Sequence, residues 1–420
     1  MEKITAIRGF KDILPEDAYL FWKVETIAHE VFNSFGFREI RVPILEKTEL
    51  FKRSIGETTD IVEKEMYTFA DRDTELITLR PEATASVIRA YIEHNMSAAE
   101  QITRLFTIGP MFRRERPQKG RFRQFNQIDV ELFGENKPQA DAEIIFMLMH
   151  FLSSVGLRDL ALEINSLGCP ACRPLFSKAV IDFLKGSEKN LCPDCQRRIN
   201  TNPLRVFDCK VETCTSIIAN APRILDFLCS DCEVHFSQVQ LFLKDLNIFF
   251  VINPRMVRGL DYYTKTAFEV KTNALGAQNA VAGGGRYNSL VSDLGGPEVP
   301  GIGFAVGFER LVACLPEEKE TNFKNDLFVA ALGDQARKLA FGLTNELRRA
   351  GLSADMDYAD KSLKAQLKRA DKLNSSFTLI FGDKEIEEKQ VVLRNMRTKD
   401  QQTIPLDGFL ESIIKIIKER

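Results

Sequence analysis

The stretch FRRERPQKGRFRQF, residues 112–125, constrains this chain more than any other. It gathers Arg113, Arg114, Arg116, Lys119, Arg121 and Arg123 in a protein whose net charge is −2. The segments at its two ends, 103–112 and 121–133, read as strands joined by a polar turn that contains Pro117 and Gly120. In QFNQIDVELFG, alternation puts Phe125, Gln127, Asp129 and Glu131 on one face and Ile128, Val130 and Leu132 on the other. The result is an antiparallel hairpin, apolar enough on one face to sit on a core and polar on the other. Arginines at its mouth can reach an anion lying on the polar floor, and planar guanidinium forks suit phosphate oxygens. Glu131 and Gln127 suit a cationic or amide-bearing ligand instead. Such a site asks for a triphosphate at one end and an amine at the other. A solvated charged hairpin is the plainer reading of the arginines taken alone.

Three further stretches have the same character. LTLRPEATASVIRA sets Glu82 and Thr84 between a strand and a helix. VRGLDYYTKTAFEV brings Arg258 near Tyr262 and Tyr263, and GIGFAVGFERL puts Gly301, Gly303 and Gly307 ahead of Arg310. Glycines let a backbone come close to a ligand or to another strand, and both uses stay open for the last run. No G-x-x-x-x-G-K-[ST] occurs, and AVAGGGRYNSL lacks the G-x-G-x-x-G spacing of a dinucleotide site. A nucleotide must therefore be held by arginines on an antiparallel sheet. Of the adjacent Tyr262 and Tyr263, one is expected to be core, because neighbouring strand residues face opposite ways.

At 420 residues the chain is long enough for two or three domains. Its 44% hydrophobic and 28% charged content describe a folded, mixed-class protein. The near-neutral total excludes a global positive field, so nucleic-acid contact must come from local patches. YLFWKVETIAHEVFNSFG reads as a helix stopping at Gly36, and FREIRVPIL as an edge or boundary strand ending at Pro43. Glycine-punctuated strands run from 258 to about 312, followed by the polar linker PEEKETNFKND. LFVAAL then opens a strand–helix–strand–helix–strand series to about 382. The N-terminus has no apolar h-region, and no run approaches the roughly 18 apolar residues that span a bilayer. A cytoplasmic protein without membrane contact is expected.

FRRE followed by FRQF resembles the second signature motif of class II aminoacyl-tRNA synthetases, and GFAVGFERL the third. Pro43 resembles the proline of the first motif, which lies at the dimer interface. RGLDYYTKTAFE and AGGGRYNSLV are similar to the two signatures peculiar to the histidyl-tRNA synthetase branch. The resemblance covers nearly all of the chain in the right order. It implies an α+β fold, with an antiparallel six-stranded sheet and flanking helices over residues 1–325. An inserted Cys-rich domain would interrupt this core at 166–245, and a C-terminal α/β anticodon-binding domain would occupy 326–420. The implied activity is ATP- and magnesium-dependent ligation of L-histidine to its tRNA through histidyl-adenylate, by a homodimer. Carried over residue by residue, Arg113 would hold the α-phosphate, Glu115 the adenine amino group, and Arg121 the outer phosphates. Phe125 and Arg310 would sandwich the adenine ring. Glu82, Thr84 and Gln127 would bind the histidine α-amino group, while Glu131, Tyr262 and Tyr263 would line its imidazole. Arg258 would act with Arg113 as a catalytic cation, in the electrostatic role a magnesium ion or lysine otherwise plays at the α-phosphate. Arg116 and Gln118, at the hairpin tip, could reach the extra guanylate that precedes the acceptor stem.

Two positions depart from the family pattern, Ala83 in place of glycine and Asn288 in place of aspartate, and neither removes a proposed ligand. The alternative on the same core is the regulatory subunit of ATP phosphoribosyltransferase, which lacks the anticodon-binding domain and commonly loses ATP-site residues. Here Arg113, Arg258 and Arg310 are all present.

Eight of the nine cysteines fall in four close pairs: Cys169 and Cys172, Cys192 and Cys195, Cys209 and Cys214, Cys229 and Cys232. In chain order these read C-x₂-C-x₁₉-C-x₂-C and C-x₄-C-x₁₄-C-x₂-C, so two structural zinc ions could staple the block. The alternative is a set of thiols packed as small buried hydrophobes. Which pairs would share a metal is open, because order along the chain need not be pairing in space. In ADKSLKAQLKRADKLN, Lys361, Lys364, Lys368 and Lys372 are spaced to share one helix face, as a solvated surface or as a stripe along a tRNA backbone.

Overall fold

In the computed structural model, which describes residues 3–57, 59–117, 120–275, 279–316 and 325–418, the hairpin forms as its alternation requires. Thr103–Phe112 pairs antiparallel with Gln124–Phe133 along their full length. Ile128, Val130 and Leu132 are buried in the main core, against Val24, Ala28 and Phe32 of the helix Pro15–Ser34 and Ile144, Leu148 and Phe151 of the helix Pro138–Ser154. A one-residue slip would turn Asp129 and Glu131 into that core, at a cost of several kcal/mol for each ion so buried. The first helix has a proline in its opening turn, Glu16 and Asp17 at its positive end, and Gly36 at φ +79° just beyond its last turn.

The sheet around the hairpin has eight strands, in spatial order Arg38–Glu39, Thr103–Phe112, Gln124–Phe133, Gly301–Gly307, Ala280–Arg286, Thr264–Thr272, Leu160–Ser166 and Val251–Ile252. The inner six are antiparallel throughout, as expected. The count differs from six because a two-residue strand adds in parallel at each edge. FREIRVPIL contributes only Arg38–Glu39 to the sheet. Proline has no amide to continue the ladder, and the carbonyls of Val42 and Pro43 instead accept from Arg80 Nη1, at 2.9 and 3.4 Å.

Between Leu160–Ser166 and Thr264–Thr272 the chain forms helices Arg173–Lys185, Pro193–Thr201 and Glu212–Ile218. These share a small core of their own, made of Phe176, Val180, Leu184, Ile199 and Val206 with Cys195, Cys209 and Cys214. The helix Ser230–Asp245 then returns Phe236, Val239 and Leu243 to the main core.

Contacts divide the chain into two compact units, Met1–Pro316 and Glu317–Arg420. Most of the linker expected at 316–326 lies outside the described residues. The second unit is a five-stranded sheet in which Leu327–Ala331 runs parallel to Ala354–Met356 and Phe377–Phe381, with two antiparallel strands added after them. The expected strand–helix series is its first half. Within it the helix Leu363–Lys372 carries Lys364, Lys368 and Lys372 at four-residue spacing, all exposed. Lys361 lies before that helix and pairs with Asp357 at 3.1 Å, so it is not part of the stripe.

Candidate active site

The polar face of Gln124–Phe133 forms the floor of a cavity of about 420 Å³. The floor is open because its cross-strand neighbours are small: Gly303 stands opposite Glu131, Ala305 opposite Asp129, and Gly307 opposite Gln127. A Cβ on Gly303 would lie 2.0 Å from Glu131 Oε2, and one on Gly283 would lie 2.5 Å from the Arg258 guanidinium. These two glycines make room for the side chains that shape the cavity.

All twelve residues singled out for histidine and ATP line this one cavity: Glu82, Thr84, Arg113, Glu115, Arg121, Phe125, Gln127, Glu131, Arg258, Tyr262, Tyr263 and Arg310. The two tyrosines do not divide as expected. They precede the strand Thr264–Thr272 rather than lying in it, so strand alternation does not apply, and both border the cavity with ring centroids 4.7 Å apart. Of the hairpin tip, Arg116 is exposed, while Gln118 lies outside the described residues.

The floor is acidic and buried. Thr84 Oγ1 donates to Glu131 Oε1 at 2.6 Å, and the Tyr287 hydroxyl donates to Glu131 Oε2. Glu82 accepts the Ala85 amide at 2.9 Å, held at the start of the helix Thr84–Glu93, where the helix dipole favours an anion. Ala83, the family-atypical residue, is fully buried at that helix start. Burial pushes the Glu131 carboxyl up to about 8, against the pull of the Thr84 and Tyr287 bonds. Asp129 is raised well above the carboxylate range by burial and then by Glu131 and Glu82, with Arg80 and Arg113 offsetting only part. Glu82 is raised by burial, with the Ala85 amide and Arg113 opposing. Among the described residues Asp129 Oδ2 and Gln127 Oε1 have no hydrogen-bond partner. An unmet buried polar atom costs about 1–3 kcal/mol, which a ligand donor can recover.

The other end is basic. Arg113 Nε donates to the Pro81 carbonyl at 2.8 Å, and its guanidinium lies 5.4 Å from the centre of the Phe125 ring. Arg121 pairs with Glu115 at 2.8 Å, and Arg258 with Glu269 at 2.9 Å. Arg258 Nε is buried without a partner among the described residues. Glu309 accepts the backbone and side-chain N–H groups of Asn126 at 2.9 Å, which joins the helix Phe308–Val312, bearing Arg310, to the floor strand.

Asp129, Tyr287, Glu269 and Glu309 also line the cavity, although the sequence reading assigned them no role. The signal for Asp129 was present in the alternation, and that for Tyr287 in AGGGRYNSLV. Those for Glu269 and Glu309 were in RGLDYYTKTAFE and GFAVGFERL. Behind Tyr287, the buried Arg286 pairs with Asp141, which also accepts from His235 at 2.8 Å and from Thr266. Asn288, which stands where the family has aspartate, accepts from Arg286 Nη1 at 3.3 Å through a neutral amide oxygen.

The eight paired thiols gather in two groups of four. They do not follow chain order: Cys169 and Cys172 meet Cys229 and Cys232, and Cys192 and Cys195 meet Cys209 and Cys214.

Residues 9–172 and 217–311 match the family model for histidyl-tRNA synthetase, and residues 326–416 match the anticodon-binding domain. A histidine–tRNA ligase of Desulfosudis oleivorans is 55% identical over 419 residues, covering 99% of each chain. The chain belongs to the histidyl-tRNA synthetase family. The crystal structure of apo histidyl-tRNA synthetase from S. aureus is similar with a TM-score of 0.84 at 40% identity, covering 98% of this chain and all of that one. An ATP phosphoribosyltransferase regulatory subunit/histidyl-tRNA synthetase from Bacillus halodurans superposes with a TM-score of 0.67 at 19% identity, over 91% of this chain and 99% of that one. That likeness is one of fold alone.

Proposed function

We propose that the protein is a histidine–tRNA ligase that forms histidyl-adenylate in the cavity and then passes histidine to its tRNA. The observation that carries this reading is the polarity of a single strand, whose carboxylates lie buried at one end of a cavity ringed by arginines at the other. Glu82, Thr84 and Gln127 bind the α-amino group, and Glu131, with Tyr262 and Tyr263, receives the imidazole. Phe125 and Arg310 take the faces of the adenine, Glu115 its amino group, and Arg121 the outer phosphates. Arg121 and Glu115 bond each other at 2.8 Å, so both sit together on the nucleotide side of the cavity. The histidine carboxylate attacks the α-phosphorus, a new P–O bond forms, and the bond to the β-phosphate breaks to release pyrophosphate. Negative charge grows on the α-phosphate oxygens, where Arg113 and Arg258 stabilise it without reorganising.

Among the described residues, the only gatherings of three or more ligand-type side chains are the cysteines. The cavity thus has no ready-made magnesium cage, which fits an ion that arrives on the triphosphate and neutralises its charge. The thiol groups fit structural zinc, with every ligand from the protein and no open position. A homodimer is expected from the resemblance, and the exposed Ile44 and Leu45, directly after Pro43, are apolar surface for such an interface. No helix among the described residues is long and apolar enough to cross a membrane; a cytoplasmic location is part of this proposal.

The regulatory-subunit reading is not favoured, because the full-length relatives are ligases and the anticodon-binding domain is present. The test is charging: with ATP and magnesium, the protein should attach labelled histidine, and no other amino acid, to total tRNA. No charging, with stimulation of a phosphoribosyltransferase instead, would overturn the proposal.

A further inference from the structure

We propose that the inserted domain is a two-zinc clamp that positions the loop carrying Arg258 and Tyr263, so that zinc occupancy governs adenylate formation. The inference rests on the reading of Arg258 as a catalytic cation. Its outer site is Cys169, Cys172, Cys229 and Cys232, and its inner site is Cys192, Cys195, Cys209 and Cys214. In each group the four sulfurs lie within 4.8 Å of one another. Cys169 Sγ is 3.6 Å from that of Cys172 and 3.8 Å from that of Cys229, and Cys192 Sγ is 3.8 Å from that of Cys209. Four sulfurs about 2.3 Å from a central zinc stand roughly 3.8 Å apart at the corners of a tetrahedron.

Backbone amides add the outer shell that thiolate ligands use. Cys229 N–H donates to Cys172 Sγ and Cys192 N–H to Cys214 Sγ, both at 3.2 Å. Gly168 turns into the first knuckle at φ +63°, where a Cβ would lie 2.7 Å from that of Cys172. Thiols packed merely as small hydrophobes need neither this convergence nor these amides.

The nesting matters mechanically. The outer site joins the two ends of the insert across 60 positions, from the exit of Leu160–Ser166 to the start of Ser230–Asp245. The inner site joins its middle. Arg173, the residue after Cys172, donates to the Tyr263 carbonyl. Arg205, four residues before Cys209, binds Asp261 Oδ1 at 3.0 and 3.1 Å and the Gly259 carbonyl at 2.7 Å. Asn202 adds a bond to Asp261 at 3.1 Å. The segment 258–263 is irregular until Thr264 begins its strand, so it takes its shape from these bonds. A core as small as that of the insert does not hold such a scaffold firmly without a staple.

Full-length protein purified without chelator should contain two zinc per chain by elemental analysis. Cys195→Ser and Cys232→Ser should each lose one. Stripping both ions with a chelator should lower histidine-dependent pyrophosphate exchange roughly tenfold or more, with far-UV circular dichroism retaining the main sheet, and added zinc should restore it. Arg205→Ala, which keeps every thiol, should retain both ions yet lose kcat for exchange and raise the histidine KM, because Arg258 and Tyr263 sit on the same segment. Metal-free protein, or stripped protein with full exchange, would overturn the clamp. Arg205→Ala with two zinc and unchanged exchange would overturn the coupling. Two zinc ions in a wild-type protein without any exchange would instead overturn the active-site reading, and the coupling with it.

Discussion

At the mouth of the cavity Arg121 and Arg258 already hold carboxylate partners, Glu115 and Glu269, whereas on the floor burial raises the pKa of Glu82, Asp129 and Glu131, with Glu131 and Glu82 adding to the rise at Asp129 and Glu82 to that at Glu131. An arginine keeps its charge in either setting. A buried carboxyl does not, and these three are pushed toward their neutral forms. The mouth is therefore charged before substrate arrives, while the floor gains charge as a cationic ligand enters. One end is built for a phosphate, the other for an amine.

The largest effect should come from the mouth. Arg258→Ala should cut adenylate formation roughly 10³-fold or more, while histidine binding, measured calorimetrically, stays nearly intact. Near wild-type exchange would move the catalytic cation elsewhere.

Glu131→Gln acts at the other end. A charge-assisted bond to the imidazole becomes a neutral one, a loss of about 1–1.5 kcal/mol and so roughly 5- to 10-fold in histidine affinity. The KM for ATP should barely move. Equal losses for both substrates would erase the distinction between the ends.

The same substitution should have the opposite sign in unliganded stability. Burial pushes the Glu131 carboxyl up to about 8 from its ordinary 4.5, so the folded state holds the proton more tightly than the unfolded chain does. That contribution is complete below about 4.5 and is lost as pH rises to about 8. Melting temperatures measured from pH 5 to 8 should show Glu131→Gln gaining on the wild type by a few degrees. A constant difference would mean that Glu131 is ionised and paired in the free protein.

The smallest effect belongs to cations outside the cavity. Charge reversal at Lys364 and Lys368 should raise the KM for tRNA a few-fold and flatten its dependence on salt, with pyrophosphate exchange unchanged. An unaltered KM would make that helix face an ordinary solvated surface.

Much of the floor was legible because a two-residue period separates Gln127, Asp129 and Glu131 from Ile128, Val130 and Leu132 without reference to anything distant. The inner six strands were expected from the family resemblance and an edge strand from FREIRVPIL, whereas the other edge, Val251–Ile252, is too short to have a period. Tyr262 and Tyr263 were misjudged because the strand begins at Thr264, after both of them. The Tyr287–Glu131 bond spans 156 positions, and the cysteine groups interleave pairs across the insert. Both depend on how the chain returns to itself, which spacing does not report.

The polarity of the cavity is tested most directly by the exchange of labelled pyrophosphate into ATP without tRNA, since that reaction needs both ends occupied at once. Exchange should be absent with ATP and magnesium alone, appear on addition of L-histidine, and not appear with other amino acids. Exchange that ignored histidine, or none at all in folded protein, would contradict the assignment of an amine end and a phosphate end to this cavity.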